Sequence, residues 1–99
     1  MGAREAPANS MSERDLQTNV IAMAKAMGYL VYHTHDSRRS ESGYPDLTLA
    51  RRGEVLFVEL KSNKGKLSLA QMAWRAMLPS WSLWTPTELL DGTVERALR

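Results

Sequence analysis

Residues 46–61 read DLTLARRGEVLFVELK, and the order of side chains in this stretch decides the fold. Asp46–Ala50 and Val55–Lys61 alternate between apolar and polar, with Arg51-Arg52-Gly53-Glu54 between them. Alternation at period two marks a half-buried strand, and two such runs across a short Gly-containing break predict a β-hairpin. Arg-Gly is a weaker turn former than Asn-Gly. If the turn is symmetric about Arg52 and Gly53, Ala50 opposes Val55, Thr48 opposes Phe57 and Asp46 opposes Glu59. Opposed residues share a face, with Cβ atoms ~4.5–5.5 Å apart. Lys61 lies two residues beyond Glu59 and projects from that face about 7 Å further along. Leu47, Leu49, Leu56, Val58 and Leu60 all fall on the opposite face, the natural core side.

The flanking sequence supplies the remaining elements. Ser12 is placed as a helix N-cap, with Asp15 at the third helical position. Leu16, Val20, Met23 and Met27 follow at helical spacing, and Gly28 ends that helix. Tyr29–His35 reads as a strand and Asp36–Pro45 as a polar loop. After the hairpin comes a Lys/Gly-rich loop, Ser62–Leu67. Ser68 then caps a helix over Leu69–Leu78, which Pro79 terminates. Trp81–Trp84 reads as a last strand, and Thr85-Pro86-Thr87-Glu88 opens a short C-terminal helix with proline at its first position. The order αβββαβα describes an α/β sandwich with a small mixed sheet. Residues 1–11, with Pro7 and no apolar period, read as a disordered tail, leaving residues 12–99 as one domain.

Composition narrows the class. The 99 residues contain no cysteine, so neither disulfides nor zinc-thiolate sites hold the chain together, in keeping with a cytoplasmic protein. No apolar run approaches the ~20 residues that span a bilayer. The net charge is only +2, but seven of the 13 basic residues (Arg38, Arg39, Arg51, Arg52, Lys61, Lys64 and Lys66) crowd the middle third. Such clustering suits a polyanion and equally suits a solvated face.

The face shared by Asp46, Glu59 and Lys61 carries the chemistry. Two opposed carboxylates repel unless a cation lies between them. Oxygen ligands in that arrangement suit Mg²⁺ or Mn²⁺, which also bind substrate phosphate, and a neighbouring lysine can hold a phosphate oxygen or orient water. That combination asks for phosphodiester hydrolysis. The same residues also fit an ordinary surface hairpin with a Glu59–Lys61 ion pair, worth at most ~1 kcal/mol. His33 and His35, at period two, offer a base, though strand histidines are more often structural. Trp74, Trp81 and Trp84 fit core packing better than stacking on bases.

Three ordered motifs decide between these readings. Ser42-Gly43-Tyr44-Pro45-Asp46-Leu47, Phe57-Val58-Glu59-Leu60-Lys61 and Leu67-Ser68-Leu69-Ala70-Gln71 together resemble the PD-(D/E)xK nuclease superfamily. More narrowly they resemble a stand-alone VRR-NUC domain, with its G-x-P-D, E-x-K and L-S-x-x-Q pattern. The resemblance implies a restriction-endonuclease-like αβββαβ core, a small mixed sheet flanked by helices. It implies metal ligation by Asp46, Glu59 and the Leu60 carbonyl, with Mg²⁺ or Mn²⁺ as cofactor and Lys61 acting on water or phosphate. Gln71 would support the site, although Ser68–Gln71 is also a good capping box, and the two roles are compatible only if the side chain swings outward. An acid on the first helix is implied as well. Glu13 is preferred as a catalytic and metal residue, while Gln17 occupies the register where some members carry Glu, and a first-turn acid also suits the helix dipole. Arg38, Arg39, Lys64 and Lys66 would grip DNA phosphates. The implied activity is a structure-selective DNA endonuclease, acting as a homodimer on branched DNA such as four-way junctions. The rivals are a nuclease of the same fold acting on flaps, nicks or foreign DNA, and a non-catalytic nucleic-acid-binding module.

Overall fold

The computed structural model describes residues 10–35 and 39–99. In chain order the elements are α1 (Glu13–Ala26), β1 (Leu30–His33), β2 (Leu47–Arg51), β3 (Glu54–Leu60), α2 (Leu69–Met77), β4 (Trp81–Trp84), α3 (Pro86–Leu90) and α4 (Thr93–Leu98). The strands form one sheet in the order β1-β2-β3-β4. The first two pairings are antiparallel; β4 returns parallel to β3 after the α2 crossover. This is the mixed sheet flanked by helices that the sequence calls for.

The β2–β3 register is the expected one, with Thr48 against Phe57 and Ala50 against Val55. Arg51 pairs with Glu54, leaving Arg52 (φ 53°) and Gly53 (φ 80°) as a two-residue turn in the left-handed region. Two consecutive positive φ values match the right-handed twist of the flanking strands, which is why this turn is so short. Leu47, Leu49, Val58 and Leu60 are consequently all fully buried on one face. Each such side chain contributes roughly 1.5–3 kcal/mol by leaving water.

That face is covered by α1, α3 and α4. Ser12 caps α1 by accepting from the Asp15 amide at 3.0 Å. Its inward stripe is Leu16, Val20 and Ala24, with Met23 and Met27 packed at the margin. Met11, expected in the tail, also packs against this core; residues 1–9 of that tail lie outside the described residues. Tyr29 is buried beneath the Arg51 guanidinium, 4.1 Å from the ring centroid, and Arg51 Nη1 donates to the Met27 carbonyl at 2.8 Å. One member of the basic cluster therefore staples the α1–β1 corner to the end of β2.

The hairpin strands and the second helix each differ from expectation by one residue at one or both ends, and two elements differ more. The strand expected over Tyr29–His35 is limited to Leu30–His33, although the Thr34 amide still donates to the Asp46 carbonyl at 2.9 Å. The single C-terminal helix is two, broken at Gly92 (φ 91°). The Asp91 carboxylate accepts from the Thr93 amide at 2.9 Å, and Val94 and Leu98 of α4 complete the core. The break trades helical continuity for burial of these two side chains. Among the described residues no helix is long and apolar enough to cross a membrane.

The left-handed Arg52 is a test of the turn, because a residue with a Cβ is strained at positive φ while Asn tolerates it. Arg52→Asn should stabilise the protein by about 0.5–1 kcal/mol. Thermal unfolding should register this as a rise of several degrees, and a lower melting temperature would refute the turn assignment.

Candidate active site

The same register carries Asp46, the residue just before β2, opposite Glu59. Asp46 Oδ2 accepts from the Leu60 amide at 2.8 Å. Glu59 lies only 2% exposed, with Oε2 accepting from Gln71 Nε2 at 2.9 Å. Its other oxygen, Oε1, is buried with no hydrogen-bond partner. Burial pushes the Glu59 carboxyl up to about 8 from an ordinary 4.5, helped by the charge of Asp46 and their hydrogen-bonding proximity. Lys61 pulls the other way, and Glu13 adds a smaller upward push. Two ionised carboxylates cannot donate to one another, so only a shared proton or a cation can join them. In a strand the N–H and C=O of one residue point to the same side. The Leu60 carbonyl is therefore directed toward the strand edge from which Asp46 reaches the Leu60 amide. Two carboxylates, an orphaned buried oxygen and a strand carbonyl are a donor set suited to a hard divalent cation.

Gln71 makes both of the contacts its position allows. Its Oε1 accepts from the Ser68 amide at 2.8 Å and closes the capping box, while Nε2 reaches Glu59. The expected incompatibility does not arise, because the two ends of one amide face different partners. This requires α2 to lie close to the loop before β2, and Gly43 permits it. A Cβ there would stand 2.5 Å from the Ala70 carbonyl carbon and 2.7 Å from the Gln71 nitrogen, at a φ of 86°. Any side chain at residue 43 would push α2, and with it Gln71, away from Glu59. Trp74 fastens the same contact by donating from its indole nitrogen to the Ser42 carbonyl at 3.1 Å, and Tyr44 packs edge-on against Trp74 and Phe57. Ser42, Gly43 and Trp74 were not legible as site residues beyond the bare motif. A glycine inside a polar loop was the available signal.

Lys61 follows β3, its amide donating to the Trp84 carbonyl at 3.1 Å. Gly65 folds back against the Lys61 stem, where an added Cβ would meet Lys61 Cδ at 3.1 Å. Asn63 Oδ1 accepts from the Thr87 hydroxyl at 3.2 Å, tying the loop to the start of α3. Lys64 and Lys66 are exposed on this anchored loop, and Arg39 is exposed in the segment between β1 and β2; Arg38 lies outside the described residues. Glu13 is exposed in the first turn of α1, close enough to act on Glu59 through its charge, while Gln17 one turn on is half-buried. Among the described residues no three His, Cys, Asp or Glu side chains gather as a metal-holding group, so Glu13 stands outside the carboxylate pair.

On the β1 side the site opens into a cleft of about 320 Å³, bordered by the end of β1, residues 40–44, Asp46 and Gln71. His33 and His35 line it, with ring centroids 4.7 Å apart. Trp84 is a core residue, as expected of it, and Trp81 is half-buried.

This is an α/β domain with an acidic pair, a lysine and a glutamine gathered at one end of a mixed sheet. The VRR-NUC domain family model matches residues 5–81, and the chain belongs to that family. A solved structure described as a VRR_NUC domain superposes with a TM-score of 0.62 at 21% sequence identity. The alignment covers 84% of this chain and 96% of that one, and at this identity the likeness speaks for the fold. No curated protein matches the chain. Family membership makes this a nuclease-type domain.

The raised Glu59 pKa gives the cation-free protein a defined pH response. A carboxyl whose folded value lies above its unfolded one stabilises the protein fully below the unfolded value of 4.5, and that stability is lost as pH rises toward 8. In EDTA the melting temperature should therefore fall between pH 5 and 8. Glu59→Gln should flatten the response and be the more stable protein at pH 8. Parallel profiles for the two proteins would show that Glu59 is not the titrating group.

Proposed function

We propose that this domain is a Mg²⁺- or Mn²⁺-dependent endodeoxyribonuclease that hydrolyses phosphodiesters, preferentially in branched DNA such as four-way junctions. The observation that carries this reading is the buried, unpartnered Oε1 of Glu59 beside Asp46. An orphaned carboxylate oxygen next to a second carboxylate is destabilising by itself, and a divalent cation would relieve it. Asp46, Glu59 and the Leu60 carbonyl would hold the ion. When bound, it would lower the pKa of water and offset charge on the phosphate.

The chain's own groups do the remaining work. Lys61 lies beside the pair on a stem backed by Gly65, placed to hold a phosphate oxygen or to orient the attacking water. Gln71 keeps Glu59 in one rotamer while its other end caps α2, so the ligand is pre-organised by the helix. Glu13 adds negative charge from α1 and is a candidate outer ligand through water. Lys64, Lys66, Arg38 and Arg39 would contact phosphates, which gives affinity that falls with salt and carries little base specificity.

The preference for branched DNA rests on family resemblance and on symmetry. One carboxylate pair makes one cut, whereas resolving a junction takes two symmetric cuts, which a two-fold dimer supplies. Leu69, Met72 and Met77 are exposed on α2, an apolar surplus consistent with a second copy. Light scattering at micromolar concentration should report about twice 11.1 kDa. A monomer that still cuts junctions symmetrically would overturn the dimer.

Cleavage of plasmid, flap and four-way-junction DNA with Mg²⁺, Mn²⁺ or EDTA tests the activity. Asp46→Asn and Glu59→Gln should abolish metal-dependent cutting. Lys61→Ala should lower turnover by roughly two to four orders of magnitude with metal binding retained. Wild-type turnover in either carboxylate variant would refute the site, and uncleaved DNA that is nonetheless bound would identify a non-catalytic binding module.

A further inference from the structure

The proposed carboxylate centre and its lysine occupy β2, β3 and α2, and the phosphate contacts proposed so far are Lys61, Lys64 and Lys66 after β3 and the Arg38-Arg39 pair between β1 and β2. The cleft on the β1 side has no assigned role. It opens directly onto Asp46, and His33 and His35 line it with Thr34 between them. Their rings lie 4.7 Å apart with planes at 44°. His35 is exposed and His33 half-buried.

The His-Thr-His segment is pinned to the residues that carry the carboxylate. The Thr34 amide donates to the Asp46 carbonyl at 2.9 Å, and its hydroxyl donates to the Pro45 carbonyl at 3.0 Å. The backbone that carries the two imidazoles is therefore held at a set position relative to Asp46. By strand alternation His33 lies on the face of Leu47, so it approaches the sheet end from the α1 side, whereas Asp46 itself faces α2; His35 lies beyond the strand and lines the same cleft. Among the described residues lining this cleft there is no Lys or Arg. The two imidazoles are the groups there that can carry positive charge and donate N–H to an oxyanion. Glu41, also on the rim, works against a small free anion. A polymer already anchored at the Asp46–Glu59 centre is less affected, because its next phosphate is delivered by the covalent backbone.

We infer that His33 and His35 form a phosphate-binding pair that holds the DNA backbone on the side of the scissile phosphate opposite Lys61. This inference rests on the nuclease reading. The strand then crosses the sheet end between two unlike grips: imidazoles in the β1-side cleft, and the lysines of residues 61–66 on the other side. The pair are binding residues, and their contribution lies in affinity.

The test measures binding of a fluorescent four-way junction in Ca²⁺, and initial cleavage rates in Mg²⁺, for wild type, His33→Gln and His35→Gln. His35→Gln should raise both Kd and KM about tenfold, the loss of one charge-assisted contact. Its kcat should fall by less than about twofold. Mn²⁺ affinity by calorimetry should be unchanged, since neither histidine ligates the ion. If His33→Gln lowers the melting temperature, the exposed His35 decides the matter. Unchanged Kd and KM in His35→Gln would overturn the inference, as would a loss confined to kcat. A wild type that binds but never cuts would defeat the nuclease reading, while the affinity comparison would still score the histidines.

Discussion

Two carboxylates held together, one of them almost wholly buried and the other at the edge of a cleft, set the terms for everything around them. Asp46 and Glu59 meet because a two-residue turn puts them on facing strands in one register, and nothing nearby neutralises both. Each alternative open to such a pair has a cost. Protonation gives up the negative charge of one member, and separation requires breaking the register that also buries Leu47, Leu49, Val58 and Leu60. The hydrophobic core thus holds the acidic pair in place: slipping the hairpin by one residue would turn the two buried aliphatic side chains of one strand toward solvent. In a chain of this size that loss, about 3–6 kcal/mol, is a large part of a normal margin of stability. Fold stability and the electrostatic strain of the site are consequently the same structural fact viewed from the two faces of the sheet.

The two faces divide the work. One is closed by α1, α3 and α4 and is almost wholly apolar. The other is covered only by α2 and the segment before β2, and there every close contact serves position. Gly43 lets the α2 backbone approach, the Trp74 indole ties it to Ser42, and Gln71 transmits that placement to Glu59. The α2 helix contributes no fully buried side chain. It is held by directional contacts, which suits an element that must present one amide at one distance. The apolar side chains left exposed along it are the counterpart of that arrangement.

The sheet end is asymmetric in charge, with lysines following β3 and imidazoles following β1. The asymmetry stems from how the two strands finish. β3 runs into a loop anchored by Asn63 and folded over Lys61, whereas β1 ends on His33 and is followed by Thr34, bonded to the backbone of Pro45 and Asp46. An extended polyanion crossing the carboxylate pair would meet different partners before and after it.

Much of this was legible in residue order alone, because it depends on local physics. Period-two alternation on either side of Arg52-Gly53 determines the hairpin register and hence the Asp46–Glu59 apposition. Ser12 and Ser68 mark helix starts through caps that involve residues only three apart, and the apolar parity of β2 and β3 identifies the core face. Tertiary structure decided whatever depends on approach between distant segments. The burial of Glu59, and so its raised pKa, needs α2 overhead. The double use of Gln71 depends on where that helix lies, which Gly43 controls from 28 residues earlier. The engagement of Arg51 with Tyr29, the split of the C-terminal helix and the cleft beside the histidines likewise arise from packing between elements. Alternation and capping are written within one turn or one strand, whereas desolvation and close backbone approach exist only once remote parts of the chain exclude water together.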